Sequence, residues 1–177
     1  MVGERNKRWA VLIVIVLVVA SLSGCLGSEK QDNNERIDGS INVSNEIDLA
    51  FQSLFIAGDF VDEAYRASRE EDYDKTIELF KKAKKSYEKS HNHFSVLLNK
   101  TGDPRTDEFV YYYFEGTKFY VKASEAEIKY FEYRSIGDVE NSETASDEAK
   151  VNYAKAREFL EKTREILEEL NAEGKTI

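Results

Sequence analysis

The chain predicts an all-α fold, an antiparallel up-and-down four-helix bundle with long helices, preceded by a signal or anchor segment and a flexible tether. Three observations predict it. The 177 residues hold one proline and nine glycines among abundant Glu, Lys, Ala and Leu, so long helices meet few breakers and a β-rich fold would lack its turn residues. Beyond residue 45, apolar positions recur in alternating steps of four and three, each run the buried stripe of an amphipathic helix. Only a few residues separate successive runs, which forces chain neighbours to pack antiparallel. With 41% apolar residues, the length supports a single domain with a real core.

The N-terminal element comes first. Arg5, Lys7 and Arg8 precede an uncharged apolar run from Trp9 to Ala20, the order of a basic region and an apolar region in a secretory signal. Basic residues before the run, against Glu29, Asp32 and Glu35 after it, place the N-terminus inside and the remainder outside the membrane. The run closes on Leu22-Ser23-Gly24-Cys25, and Cys25 is the only cysteine, so it forms no internal disulfide. These four residues resemble the lipobox of prokaryotic lipoproteins. The resemblance implies cleavage before Cys25, lipidation of its thiol, and a mature protein anchored to the cell membrane with its domain on the extracytoplasmic face. Two other outcomes stay open. Trp9 to Leu26 could remain as an uncleaved span across a hydrocarbon core of ~30 Å, or cleavage after Ser23 could release the chain.

Residues 1–24 are therefore read as the signal peptide or anchor and residues 25–44 as a flexible linker. The linker is rich in Asn, Asp, Glu, Ser and Gly and reaches roughly 25 Å. Residues 45–174 are read as the bundle, with helices at about 45–70, 73–100, 103–136 and 142–172. The first stripe runs Ile47, Phe51, Leu54, Gly58, Val61, Tyr65 and Ser68. The second runs Tyr73, Ile77, Phe80, Ala83, Tyr87, Ser90, Phe94 and Leu97, with Gly102 as its terminating glycine. Asp103-Pro104 caps and opens the third helix, and Gly137 ends it. The fourth carries Ala149, Tyr153, Ala156, Leu160, Thr163, Leu167 and Leu170. Between the first two helices stands Glu70-Glu71-Asp72, without Gly or Pro, where Asp72 serves as the cap. Asp72-Tyr73 followed by Thr76, Phe80 and Ala83 resembles the second half of a tetratricopeptide repeat, which implies a partner-binding role. It departs from that family in its turn residue, its missing terminal proline, its length and its single occurrence.

Charge and motifs narrow the function. The net charge is -9, and because residues 1–24 carry +2 the rest carries -11, a surface that repels nucleic acid. No catalytic constellation, metal site or cofactor is expected, and no phosphate loop or nucleophile elbow is present. His91 and His93 lie roughly 200° apart on one helix and cannot share a metal from it. Glu88 and His91 have the Glu-x-x-His spacing of di-iron bundles, but no second such pair accompanies them.

Two features stand out. The third helix holds ten of the 21 aromatic residues between Phe109 and Tyr133. Tyr112, Tyr113, Gly116 and Tyr120 lie on its main stripe and are candidates to line a pocket. Val110, Phe114, Val121 and Ile128 form a second apolar line about 120° around, which either neighbours cover or a partner meets. The second helix is locally basic at Lys75, Lys81, Lys82, Lys84, Lys85 and Lys89, read as charge complementary to the acidic first helix or as a face for anionic headgroups. Asn42-Val43-Ser44 and Asn99-Lys100-Thr101 are candidate N-glycosylation sites, compatible with an archaeal or similar cell surface. Together these features lead us to expect a non-enzymatic, membrane-anchored lipoprotein that contacts another envelope protein or itself. The alternative is a small-ligand receptor using an aromatic groove on the third helix.

Overall fold

The computed structural model describes residues 42–172. The leader, Cys25, the linker up to residue 41 and residues 173 and 174, the end of the range read as the bundle, lie outside the described residues. Four helices follow in order: α1 (Val43–Arg69), α2 (Tyr73–Leu97), α3 (Pro104–Ser135) and α4 (Val139–Ala172). No strand occurs among the described residues. Residues Ile41–Glu169 form one compact unit; from Leu170 onward the chain is assigned to a second, of which only the end of α4 is described.

Ring pairs give the helix directions. Phe51 near the start of α1 meets Phe94 near the end of α2, with ring centroids 5.6 Å apart. Phe94 in turn stacks on Tyr113 of α3 at 5.1 Å, and Phe80 stacks on Phe131 at 5.7 Å. Phe119 of α3 stacks on Phe159 of α4 at 5.7 Å. Successive helices are therefore antiparallel, as the short connections required. Two ends result: a near end, where α1 starts, and a far end, with the α1–α2 and α3–α4 turns.

The two far-end turns share one backbone design. At the end of α1 the Asp72 and Glu71 N–H groups donate to the carbonyls of Ala67 and Ser68 at 3.2 Å each. At the end of α3, Asp138 and Gly137 donate to Tyr133 and Arg134 at 2.9 and 3.2 Å. Both are Schellman closures. In both, the following Asp then caps the next helix: Asp72 Oδ1 accepts from Lys75 N–H, and Asp138 Oδ1 from Asn141 N–H, each at 3.1 Å. The closure needs a left-handed residue. Gly137 takes it at φ 76°, whereas at the junction without glycine Glu71 takes it at φ 58°.

Three boundaries differ from expectation. Asn42 caps α1 through its side chain, so the helix begins at Val43 rather than residue 45. The second helix ends at Leu97, not residue 100, because Asn99 adopts φ 57° and takes the left-handed position assigned to Gly102, which instead turns within the connector. Asp138 starts α4 at Val139, earlier than residue 142.

α3 is flanked on several sides. Val121 and Ile128 pack into clusters with α1 and α2, Val110 is fully buried, and Phe114 stacks on His91 of α2 at 4.2 Å. Tyr112 and Phe119 lie against Phe159 of α4, and Tyr113 meets Phe51 of α1 at 4.9 Å. These neighbours account for apolar residues around more than half of the helix. Gly116 is the close approach to α4: a Cβ there would stand 3.5 Å from the Phe159 Cβ and 3.6 Å from the Ala156 carbonyl oxygen.

Candidate functional site

Most buried polar side chains of the bundle satisfy themselves on their own helix. Thr117 Oγ1 donates to the Tyr113 carbonyl at 2.9 Å, Ser124 to Tyr120 at 3.0 Å, Thr163 to Leu160 at 2.7 Å, and Asn152 Nδ2 to Glu148 at 2.9 Å. Ser90 Oγ, fully buried, finds no partner among the described residues, and Glu127 finds its partner on another helix. Glu127 of α3 is 8% exposed and is the one Asp, Glu, His, Lys or Arg buried to this degree among the described residues. The Tyr65 hydroxyl of α1 donates to its Oε1 at 2.5 Å. Burial, more than any neighbour, pushes the Glu127 carboxyl above the ordinary carboxylate range. Burial, reinforced by the carboxylate, pushes Tyr65 far up as well, so the phenol stays a donor.

Two more helices contribute to this layer. The buried Tyr153 hydroxyl of α4 faces Tyr65 closely enough to interact with it but makes no hydrogen bond of good geometry. Its pKa is pushed well above the ordinary phenol value, chiefly by burial and then by Tyr65 and Glu127, so the hydroxyl stays protonated. Tyr120 stacks on Tyr87 of α2 at 4.9 Å and meets Tyr153 edge-on at 6.1 Å. Tyrosines from all four helices thus form one connected layer, which the Tyr65 hydrogen bond joins to a buried carboxylate.

A cleft of about 420 Å³ opens beside this layer at the far end. Tyr65, Ser68 and Arg69 of α1, Glu71 of the turn, Tyr73 of α2, Glu127, Tyr130, Phe131 and Arg134 of α3 and Ser146 of α4 line it. Its geometry is that of a polar floor, aromatic walls and a charged rim. A wider groove of about 700 Å³ runs between α2 and α3 among Lys81, Lys84, Lys85, Glu88, Glu125 and Lys129. There Lys84 Nζ lies 2.8 Å from Glu125 and Lys81 Nζ 3.7 Å from Glu132, while Lys129 reaches across to Glu148 of α4 at 4.0 Å. The lysines of α2 find their interhelical carboxylate partners on α3 rather than on the acidic α1. The α1–α2 link of this kind is His93 Nδ1 to Glu46 Oε2 at 2.7 Å.

The sequence-selected residues disperse. Tyr120 joins the tyrosine layer, Tyr113 is buried among Phe51, Phe94 and Phe109, and Tyr112 lies half-exposed on the α3–α4 seam. The Tyr113 hydroxyl, reaching Thr163, is pushed up to about 12 by burial. Gly116 packs on α4, and Val110, Phe114, Val121 and Ile128 are buried or half-buried rather than forming an exposed line. His91 Nδ1 lies 3.1 Å from the Phe114 carbonyl oxygen, and Glu88 lies 3.5 Å from Lys84, so the Glu-x-x-His pair is divided between separate partners. No cluster of three or more His, Cys, Asp or Glu placed to hold a metal occurs among the described residues. Asn42 and Asn99 are both exposed at the near end. Thr76, Phe80 and Ala83 are fully buried in α2.

Glu127 escaped notice in the sequence because it sits in Ala-Glu-Ile-Lys among many surface carboxylates. A signal was present: it lies seven residues after Tyr120 and four before Phe131, on the stripe that those two define. No helix among the described residues is long and apolar enough to cross a membrane. No protein family, curated protein or solved structure matches the chain.

Proposed function

We propose that this chain is a non-enzymatic binding module tethered to the extracytoplasmic face of a cell membrane, through lipidated Cys25 or through a retained N-terminal span. Its far end meets another envelope protein or a second copy of itself. One observation carries the choice of surface. Ile136 and Val139, at 75% and 55% exposure, are the most exposed large apolar side chains among the described residues, and they flank the same far-end turn. That turn lies at the opposite end of the compact unit from Asn42, where the tether enters, so a tethered bundle would carry it away from the bilayer.

Fractionation of the native cell with the Cys25→Ser variant, joined to photocrosslinking from positions 136 and 96, tests this reading. The expected result is a membrane-bound wild type, accessible to protease from outside, that crosslinks to a discrete protein from position 136. Position 96, at the near end with Val96 38% exposed, stays silent. Release of the variant identifies lipidation; retention identifies the span. Recovery of wild type from cytosol with its leader intact, or equal crosslinking at both positions, rejects the proposal.

A second reading, a small-ligand receptor, rests on the far-end cleft and its buried Glu127 rather than on a groove along α3. Native mass spectrometry of the purified chain checks it by finding a retained small molecule.

A further inference from the structure

We propose that the far-end cleft binds a zwitterionic small molecule of the α-amino acid type, with its ammonium group on Glu127 and its carboxylate on Arg69 and Arg134. The inference rests on the receptor reading and names the ligand class of the same site.

The cleft's volume of about 420 Å³ matches a small molecule, since such sites span roughly 300–1,000 Å³. Its floor supplies the anion. Glu127 receives one hydrogen bond among the described residues, from Tyr65 at 2.5 Å, although a carboxylate accepts about four. Burial has already stripped it of most of its water. An ammonium group delivers several strong donors and a compensating charge to a group in that state. The walls favour the same charge: Tyr73 and Tyr130 flank the Phe131 ring at 6.1 and 4.6 Å, giving aromatic surface on which a cation is stabilised.

The rim decides the other half of the ligand. Arg69 and Arg134 are exposed and make no ion pair among the described residues, while Lys81, Lys84 and Lys129 nearby are each paired with a glutamate. Two unpaired guanidinium groups oppose entry of a bare amine or a metal ion, and they present the fork that binds carboxylates. A simple anion is opposed by Glu127. A ligand carrying both charges meets neither objection.

The test uses the full-length chain in detergent, first stripped of retained small molecules by unfolding and refolding. Thermal melting is followed with each proteinogenic L-α-amino acid in turn at millimolar concentration. The best one is titrated calorimetrically beside its decarboxylated and its deaminated counterparts. The expected result is at least one amino acid that raises the melting temperature, with both counterparts weaker by about tenfold or more, roughly 1.4 kcal/mol. Glu127→Gln keeps an acceptor for Tyr65 and loses the binding. Should that variant not fold, Arg69→Met with Arg134→Met, on exposed positions, reduces affinity for the amino acid toward that of its decarboxylated counterpart. No stabilisation by any amino acid overturns the inference, as does undiminished binding by Glu127→Gln or, if it is unfolded, by the double arginine variant. Equal binding of the decarboxylated counterpart, abolished by Glu127→Gln, overturns the zwitterion while leaving the receptor reading standing.

Discussion

The two ends of the bundle solve the problem of filling a four-helix interior in opposite ways. At the near end Phe51, Phe94, Phe109 and Tyr113 meet edge-on, tilted and stacked, with centroids 4.8–6.3 Å apart. At the far end the Phe80–Phe131 stack is joined by Glu127, a buried acid whose ionisation burial opposes, with the hydroxyl of the partly exposed Tyr65 donating to it and Tyr153 close by. The near end is organised for stability, because aromatic pairs add about 0.5–1.5 kcal/mol beyond the area they bury. The far end gives up part of that gain to keep a charge near a cleft. A desolvated ionisable group beside a cleft is the physical signature of a candidate functional site.

The largest test of this contrast removes a near-end ring. Phe94 is fully buried, and Phe94→Ala should cost about 3–5 kcal/mol in chemical denaturation. A loss under about 1 kcal/mol would mean that the near end is not the stabilising half. Next, Tyr65→Phe deprives the buried Glu127 carboxylate of its donor, and a loss of about 1–3 kcal/mol is expected at neutral pH.

The pH dependence is a subtler measure. Because the folded-state pKa of Glu127 is raised, the folded protein holds this proton more tightly than the unfolded chain. Its contribution is most favourable below the unfolded value and is lost as pH rises through the folded one. Wild type should therefore lose stability relative to Glu127→Gln as pH climbs from the ordinary carboxylate range toward neutrality. The variant should be the more stable at neutral pH by on the order of 1 kcal/mol. Parallel curves in urea titrations across that range would show that Glu127 does not titrate there.

The smallest effect separates the turns. Near-end Asn99 and far-end Glu71 both adopt left-handed backbone, at φ 57° and 58°, but the conformation costs glutamate more than asparagine. Glu71→Gly should stabilise by up to about 1 kcal/mol while Asn99→Gly changes little, read from the denaturation midpoints.

Much of the fold was legible because its determinants are local. Asp72, Asp103-Pro104 and Gly137 announce their boundaries by capping chemistry, and the stripes of α1 and α2 report burial by their period. What local pattern does not carry is which helix covers which line. Phe114, Val121 and Ile128 look like a spare face until α1 and α2 are seen against them, and Gly116 looks like room for a ligand until α4 fills it. The cleft was hidden for the same reason. A glutamate among many carboxylates becomes chemically distinct only when a tyrosine 62 positions earlier is brought to 2.5 Å. The turn at Glu71 was obscured differently, since a non-glycine residue occupies a conformation that glycine usually signals.

The crowding of α3 has a mechanical consequence. Phe51 and Tyr65 of α1, Phe94 of α2 and Phe159 of α4 all read their partners from this one rod, so its rotational phase is common to three seams. A single inserted residue midway along α3 would turn everything after it by about 100° and unseat every seam beyond that point together. The same insertion in the connector between Leu98 and Asp103 would leave that phase untouched. Drift in chain length over time should accordingly collect in that connector and spare α3.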